Sequence, residues 1–270
     1  MRQSDPAAAL AALLALMARL RDREHGCPWD RAQDFRSIAP FTIEEAYEVR
    51  EAIERDDPDA LRAELGDLLF QVVFHARLGE ERGWFDFAAV AAGIHEKLIR
   101  RHPHLFGAEA APGSAREQSR RWEDLKALER ADGARGDASA LADIPLALPA
   151  LMRAGKLGRR AGRVGFDWAQ PEAVREKVLE ELGELDAALA AAGGSADAHV
   201  REEFGDLLFA LANWGRHLGI DPEEALRGAN AKFERRFRRM EERAQRRGAP
   251  LTQLSAAEWE ALWCEAKGEP

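Results

Sequence analysis

The sequence predicts an all-α protein made of two copies of one helical unit. Apolar residues recur at intervals of three and four along most of the 270 residues, as expected of helices, and strand-like alternation is weak. Three short blocks also occur twice in the same order, at separations of 136, 139 and 135 residues. An internal duplication explains both the order and the spacing. The pairs are Glu44-Glu45-x-x-Glu48 with Glu180-Glu181-x-x-Glu184, Glu64-x-x-Asp67 with Glu203-x-x-Asp206, and Lys97-x-x-Arg100-Arg101 with Lys232-x-x-Arg235-Arg236.

Four helices are predicted in the first copy from its capping and turn residues. Pro6 suits the first turn of a helix, and Thr42 with Glu45 three residues later has the pattern of a capping box. Gly83 is a helix-ending residue. The predicted helices run from Pro6 to about Arg23, from Thr42 to about Asp57, from about Asp59 to Arg82, and from beyond Gly83 to about His104.

The second copy follows a change of composition. Loop-like segments rich in Ala, Gly, Asp and Ser occupy much of residues 107–145, with a short predicted helix between them. We therefore predict an N-terminal domain of residues 1–106, a linker of residues 107–145 and a C-terminal domain of residues 146–270. The glycines between residues 155 and 165 match neither a P-loop nor G-x-G-x-x-G, so they do not indicate a nucleotide-binding loop.

Charge and composition narrow the class of protein. A net charge of −9 argues against a general nucleic-acid-binding protein. No apolar run approaches the length that spans a bilayer, so we expect no membrane association. Cys27 and Cys264 lie far apart without metal-ligand spacing, which favours a reducing compartment over a disulfide or zinc site. We expect a soluble cytoplasmic protein.

Each copy carries two pairs of carboxylates at a spacing of three residues. Side chains three apart on a helix share a face, and antiparallel packing of two such helices would bring four carboxylates together. Like charges this close repel unless a cation lies between them, and oxygen ligands favour Mg²⁺, with Mn²⁺ as the alternative. The candidate metal ligands are Glu181, Glu184, Glu203 and Asp206 in the second copy, and Glu45, Glu48, Glu64 and Asp67 in the first.

Two simpler interpretations of these carboxylates remain. The first is a solvated acidic face, against which stand the recurrence in both copies and the mid-helix glycines Gly66 and Gly205. A helical glycine usually indicates close packing or an approaching ligand. The second is a di-iron carboxylate bundle, which requires Glu-x-x-His, whereas both quartets here end in Glu-x-x-Asp.

Basic residues follow the acidic pairs in each copy. Lys232, Arg235 and Arg236 lie within two turns of a predicted helix, with Glu234 among them. Alone, such a segment is typical of a salt-bridged exposed helix. Beside metal-binding carboxylates, however, Lys and Arg are the groups that hold phosphate oxygens. The combination favours a nucleoside polyphosphate or a similar diphosphate compound as substrate.

Several separate blocks resemble the MazG family of nucleoside triphosphate pyrophosphohydrolases. They are the E-E-x-x-E…E-x-x-D pattern, G-C-P-W-D-R at residues 26–31, R-R-H-P-H-L-F-G at 100–107, V-G-F-D-W at 164–168 and N-A-K-F-E-R-R-F at 230–237. The resemblance covers nearly the whole chain. It implies tandem helical MazG domains, a homodimer, and Mg²⁺-dependent hydrolysis of nucleoside triphosphates such as ATP at the α–β bond, giving a monophosphate and diphosphate.

The resemblance also implies roles for residues of the second copy. It implies that the quartet Glu181, Glu184, Glu203 and Asp206 binds the metal, and that Lys177, Lys232, Arg235, Arg236 and Trp263 bind the nucleotide, with Trp263 near the base or ribose. Simple packing is the alternative for Trp263. We expect the attacking water to be oriented by Glu180 or Glu202. Since the first copy has Ala63 in place of Glu202 and Ile99 in place of Glu234, we expect the C-terminal domain to dominate catalysis.

Two other functions remain open from the sequence. One is a Mg²⁺-dependent nucleotide-binding regulatory module without turnover, which would bind nucleotides but release no diphosphate. The other is a purely structural helical bundle, in which neutralising the quartet would change no activity.

Overall fold

A computed structural model describes residues 5–107, 139–248 and 251–268, together with residues 113, 114, 117, 118, 121, 122, 124, 125 and 129. It divides into two compact units, an N-terminal unit of Met1–Arg130 and a C-terminal unit of Ala131–Pro270. Every regular element in the described ranges is helical, which confirms the predicted all-α class. The predicted linker of residues 107–145 lies largely outside the described residues, so its bounds stay a prediction.

The N-terminal unit contains six helices within the described residues. Their bounds are Pro6–Leu20 for α1, Pro28–Ala32 for α2, Phe35–Glu54 for α3, Pro58–Glu81 for α4, Phe87–Arg101 for α5 and Pro103–Phe106 for α6. The two long helices α3 and α4 pack against each other, α1 and α5 both contact α4, and α6 follows α5.

The core of this unit lies where α1, α3 and α4 meet. Its buried residues are Met17, Ile38, Val73, Phe74 and Leu78. Burying side chains of this size contributes roughly 1.5–3 kcal/mol each, and this term holds the helices together.

Arg21, directly after α1, connects that helix to the end of α4. Its guanidinium donates to both carboxylate oxygens of Glu81 at 2.9 and 2.7 Å, and to the carbonyl oxygens of Asp30 and Gln33. The Glu81 carboxylate neutralises the buried guanidinium charge through this bidentate contact. The hydrogen bonds to Asp30 and Gln33 hold the backbone around α2 against α1.

The start of α3 differs from the prediction. The helix begins at Phe35 rather than near Thr42, because Asp34 and Ser37 form a reciprocal capping box. Pro40 lies inside the helix and removes one backbone hydrogen bond. Burial of Ile38 in the core compensates for that loss, since its side chain is 2% exposed. Thr42 is therefore a mid-helix residue, not a cap.

The C-terminal unit repeats the long antiparallel pair and adds two further helices after it. The bounds are Ala150–Arg163 for α7, Pro171–Ala191 for α8, Ala198–His217 for α9, Pro222–Arg246 for α10, the 3₁₀ turn Leu251–Gln253, and Ala256–Lys267 for α11. Helix α8 packs on α9, α7 contacts α9 and α10, and α10 contacts α11.

Two glycines of α7 lie in close contact with neighbouring side chains. A Cβ added at Gly158 would lie 2.7 Å from Asn213 Oδ1, and one at Gly162 would lie 2.6 Å from Asp167 Oδ2. Asp167 in turn accepts hydrogen bonds from Arg216 at 2.5 Å and from His217 Nε2 at 2.7 Å. These contacts join the turn after α7 to the end of α9.

None of the helices that the structure describes is both long enough and apolar enough to cross a lipid bilayer.

Candidate active site

Three carboxylates of the C-terminal unit converge between α8 and α9. Glu181 and Glu184 on α8 and Glu203 on α9 each offer an oxygen, and these oxygens all lie within 4.8 Å of one another. Glu181 is buried at 7% exposure, whereas Glu184 is exposed. Desolvation, together with the charges of Glu181 and Glu203, raises the pKa of Glu184. We call these three residues the C-terminal acidic cluster.

Two cationic or potentially cationic side chains border the C-terminal acidic cluster. Lys177 Nζ lies 2.8 Å from Glu181 Oε1 and 2.9 Å from Glu180 Oε1. His199 Nδ1 lies 3.4 Å from Glu203 Oε1. Hydrogen bonds to Glu181 and Glu180 raise the pKa of Lys177, so the ammonium is charged at neutral pH. The cluster therefore already has a counter-charge within the chain.

The remaining acidic residues predicted for this site are exposed. Asp206 lies one turn beyond Glu203 and is not part of the C-terminal acidic cluster. Glu180 is bound to Lys177, while Glu202 makes no hydrogen bond or ion pair with another described residue. Metal binding by Asp206 and water orientation by Glu180 or Glu202 stay predictions.

The N-terminal unit has an equivalent cluster between α3 and α4. Oxygens of Glu45, Glu48 and Glu64 lie within 4.8 Å of one another, and we call these residues the N-terminal acidic cluster. Desolvation and the charges of Asp67 and Glu48 raise the pKa of Glu45. Asp67 is thus close to Glu45, although it is exposed and not part of the cluster, so its role as a ligand stays a prediction.

The predicted phosphate-binding residues lie on α10, followed by aromatic residues of α10 and α11. Within the described residues, Lys232 and Arg235 are exposed and make no ion pair. Arg236 lies over the ring of Trp263 at 6.0 Å. Within the described residues, no ion pair joins these cations to the C-terminal acidic cluster.

A groove between α10 and α11 lies beside these cations. It has a volume of about 560 Å³ and is lined mainly by Phe233, Phe237, Met240, Trp259 and Trp263. The Phe233 and Trp263 rings are 5.5 Å apart between centroids. Aromatic walls, with Glu260 also lining the groove, suit a flat heterocycle. Trp263 also packs against the cluster of Leu262 and Met240, as the packing interpretation expects, and its contact with a base or ribose stays a prediction.

The mid-helix glycines before the aspartates are not packed against other described residues. A Cβ added at Gly66 or Gly205 would meet no atom of the described residues within 4 Å. Of the two explanations that the sequence offers for a helical glycine, close packing within the unit is therefore wrong for both, and an approaching ligand stays a prediction.

An apolar stripe on each unit flanks these glycines. Leu65, Leu69 and Val72 on α4 are 50, 41 and 38% exposed, and their equivalents Phe204, Leu208 and Leu211 on α9 are 54, 42 and 40% exposed. Spacings of three and four place each set on one helix face. We call these the α4 stripe and the α9 stripe.

Two functional features were missed by the sequence analysis. Glu129 binds the side chains of Arg100 and Arg101, the first-copy equivalents of Arg235 and Arg236. Gln71, on α4, donates to Glu45 at 3.4 Å. A fourth repeated block, Trp122-Glu-Asp-Leu125 with Trp259-Glu-Ala-Leu262 at a separation of 137, could have indicated that the segment before Glu129 belongs to the first copy.

Comparison with known families identifies the repeated unit. The family model of the MazG nucleotide pyrophosphohydrolase domain matches twice, over residues 33–106 and 169–240. The chain belongs to the MazG family. Both acidic clusters lie within the matched segments, and the double match confirms the tandem arrangement of MazG domains.

MazG relatives align along nearly the whole chain. It is 51% identical over 257 residues to the nucleoside triphosphate pyrophosphohydrolase of Escherichia coli strain K12, covering 94% of this chain and 95% of that protein. A Thermotoga maritima protein named nucleoside triphosphate pyrophosphohydrolase/pyrophosphatase MazG is 44% identical over 256 residues, covering 95% and 94%. A Mycolicibacterium smegmatis nucleoside triphosphate pyrophosphohydrolase is 32% identical over 263 residues, covering 97% and 71%.

Proposed function

We propose that this protein is a Mg²⁺-dependent nucleoside triphosphate pyrophosphohydrolase that converts an NTP and water to an NMP and diphosphate, with catalysis mainly in the C-terminal domain. The observation that carries the proposal is the convergence of Glu181, Glu184 and Glu203 within 4.8 Å, in the second of two MazG matches. The names of its relatives in E. coli and T. maritima support the reaction class.

The C-terminal acidic cluster fits a hard divalent cation. It offers only carboxylate oxygens, which are the donors that Mg²⁺ and Mn²⁺ take. Crowding of like charges, expressed in the raised pKa of Glu184, would be relieved by a cation among them. Glu181, Glu184 and Glu203 would hold the ion, with Asp206 as the fourth predicted ligand. A bound Mg²⁺ neutralises phosphate charge and makes a coordinated water more acidic.

The reaction breaks the bond between the α-phosphorus and the bridging oxygen. A water oxygen forms a new bond to the α-phosphorus, and diphosphate leaves with the bridging oxygen and the electron pair. The exposed carboxylates Glu180 and Glu202 are the candidates to orient this water and accept its proton. Lys177 forms ion pairs with Glu180 and Glu181, and its ammonium would bind phosphate oxygens beside the α-phosphorus.

The cations and aromatic rings beyond the cluster supply substrate binding in this proposal. Lys232, Arg235 and Arg236 would stabilise the charge on the departing diphosphate. The groove lined by Phe233, Phe237 and Trp263 would accept the base or ribose. Because aromatic walls contact the faces of any base, this groove alone predicts no strict choice among NTPs and dNTPs.

Hydrolysis in ¹⁸O-labelled water tests the proposed bond cleavage directly. With Mg²⁺ and a panel of NTPs and dNTPs, we expect diphosphate as product and the label in the monophosphate, as attack at the α-phosphorus requires. Label in diphosphate would instead mean attack at the β-phosphorus. Orthophosphate as the initial product would contradict the proposal.

A regulatory nucleotide-binding module is the second candidate function. Such a module would bind nucleotide with Mg²⁺ and release no diphosphate, so the same assay separates the two functions.

We further propose that two copies of this chain associate through the α4 and α9 stripes. Both stripes are apolar and 38–54% exposed, and each surrounds an open glycine. A helical glycine costs roughly 1 kcal/mol relative to alanine, which close approach of a partner helix would offset. Exposed apolar surface that recurs in both units is typical of an interface.

Domain bounds at residues 106 and 146 and a cytoplasmic location stay predictions.

A further inference from the structure

Glu129 binds two successive arginines at the end of α5, Arg100 and Arg101, which we call the α5 arginine pair. Its Oε1 accepts hydrogen bonds from Arg100 Nη2 at 2.8 Å and from Arg101 Nε at 3.2 Å. Its Oε2 accepts hydrogen bonds from Nε and Nη2 of Arg101. Hydrogen bonds from Arg101 and then from Arg100 hold the pKa of Glu129 at about 2, although desolvation opposes them. The carboxylate is therefore ionised at neutral pH, and both of its oxygens are bound to guanidinium groups.

The second copy has no carboxylate at the corresponding position. The separation of 137 residues at which the Trp-Glu-x-Leu block recurs places Ala266 opposite Glu129. Ala266 is 0% exposed and belongs to the core between α10 and α11. In that copy Arg235 makes no ion pair with a described residue, and Arg236 lies over the ring of Trp263. The carboxylate on the arginines is thus a feature of the first copy and not of the repeat.

A second contact holds the segment that carries Glu129 against the end of α5. The indole Nε1 of Trp122 donates to the carbonyl oxygen of Arg101 at 3.2 Å, and its ring lies edge-on to His102 with 5.3 Å between centroids. The side chain of Arg100 is 60% exposed, and ion pairs that are so accessible to water contribute little to stability. The segment would therefore keep an attachment to α5 without the Glu129 carboxylate.

The first copy otherwise has the charged groups that the proposed function assigns to a triphosphate. The α5 arginine pair is the counterpart of Arg235 and Arg236 on α10. Lys97 is the counterpart of Lys232, and the N-terminal acidic cluster is that of the C-terminal one. Arginines bind carboxylate and phosphate oxygens through the same N–H groups. A phosphate at the first copy would therefore have to displace Glu129.

A carboxylate of the same chain competes strongly with a phosphate in solution. A group joined to its partner by a short segment has an effective concentration on the order of millimolar. A ligand that needs the arginines free binds with an affinity lowered by the fraction of the time for which they are free. Glu129 therefore weakens phosphate binding at the first copy without changing any residue of the acidic cluster.

We propose that Glu129 determines which copy binds nucleoside triphosphate: its carboxylate occupies the α5 arginine pair in place of phosphate oxygens and so excludes the substrate from the first copy. The inference rests on the proposed function, because the α5 arginine pair is assigned to phosphate through its counterparts on α10. It attributes the difference between the copies to one side chain rather than to the acidic clusters, which contain three glutamates in both copies.

Calorimetric titration of the full-length protein with a non-hydrolysable NTP, in the presence of Mg²⁺, tests this role. We expect the unmodified protein to bind one nucleotide per chain. Glu129→Ala, which introduces the residue of the second copy, should bind a second nucleotide per chain. This second nucleotide should bind more weakly than the first, because Lys126 stands where the second copy has Trp263. Glu129→Gln should also bind two, since a neutral amide competes poorly with phosphate for arginines.

Two further variants show whether the second nucleotide depends on the arginines. Arg101→Ala in the Glu129→Ala protein should return the stoichiometry to one, and it keeps the backbone carbonyl that Trp122 binds. Glu117→Ala is the matched control. It removes a carboxylate of the same segment that pairs with Arg121, and it should bind one nucleotide per chain like the unmodified protein. Circular dichroism confirms that each variant is folded.

Two outcomes would overturn the role of Glu129. One is the binding of two nucleotides per chain by the unmodified protein. The other is the binding of only one by the folded Glu129→Ala and Glu129→Gln proteins. Diphosphate release from NTPs, measured on the same preparations, tests the proposed function separately. If the unmodified protein binds one nucleotide and releases no diphosphate, the hydrolase proposal fails, and a second nucleotide in Glu129→Ala would still support the role of Glu129.

Discussion

Lys177 Nζ lies 2.8 Å from Glu181 Oε1, on the same face of α8 and one turn before it. Glu181 is 7% exposed, and the ammonium offsets the cost of burying its charge. A divalent cation among Glu181, Glu184 and Glu203 would replace the ammonium in this role. Lys177 would then be free to bind a phosphate oxygen, so metal and nucleotide would enter the site together.

Replacing Lys177 tests this connection between carboxylates and phosphates. We expect Lys177→Met to lower kcat/KM for NTP hydrolysis by about 10–100-fold, because a charged hydrogen bond to phosphate is lost. Diphosphate release under steady-state conditions measures the effect. Lys156→Met, which removes an exposed lysine of α7, is the control and should change kcat/KM less than about twofold. Equal activities of the two variants would show that Lys177 has no part in the reaction.

A charged residue in the α9 stripe tests self-association. Leu208 is 42% exposed, and we expect Leu208→Glu to shift the protein from dimer towards monomer, because it buries a carboxylate in an apolar interface. Light scattering after size-exclusion chromatography measures the mass. Leu146→Glu changes an 83% exposed leucine away from the stripe and should leave the mass unaltered. A monomeric unmodified protein would refute the proposed interface.

Asp167 is expected to make the C-terminal unit sensitive to acid. Although desolvation opposes it, hydrogen bonds from Arg216 and His217 hold the pKa of Asp167 at about 2, below its ordinary 3.8. A carboxylate with a lowered pKa stabilises the fold fully above its ordinary pKa, and this stability is lost as the pH falls from 3.8 towards 2.

Asp167→Asn should therefore reduce the free energy of unfolding by about 1–2 kcal/mol at pH 6, and by progressively less below pH 4. Urea unfolding followed by circular dichroism between pH 3 and 6 measures the difference. Asp186→Asn removes an exposed carboxylate of α8 and serves as the control. A destabilisation by Asp167→Asn that is the same at every pH would contradict the assigned ion pairs.

The sequence could predict the helix pairs and the approach of the glutamates, because both depend on local periodicity. Glu181 and Glu184 share a helix face whatever their surroundings, and the repeat in the first copy showed that the pattern is not accidental. The start of α3 could not be placed correctly, since Ile38 becomes a core residue only through its contact with α1 and α4.

Contacts between residues distant in sequence explain the other differences. The pairing of Glu129 with Arg100 and Arg101 spans 28 or 29 residues, and no spacing rule predicts it. The burial of Gln71 is likewise a result of helix packing. Gly66 and Gly205 indicated close packing or an approaching ligand, but the sequence could not show that no described atom lies within 4 Å of an added Cβ.

Diphosphate release by the unmodified protein, Glu203→Gln and Glu64→Gln is the most direct test of the central claim that hydrolysis depends on the C-terminal acidic cluster. The two substitutions are equivalent, since each neutralises the α9 or α4 glutamate of its own cluster. We predict that Glu203→Gln lowers kcat/KM by about 100-fold or more, and that Glu64→Gln keeps it within about threefold. Equal losses in both variants, or a loss in Glu64→Gln alone, would contradict the account.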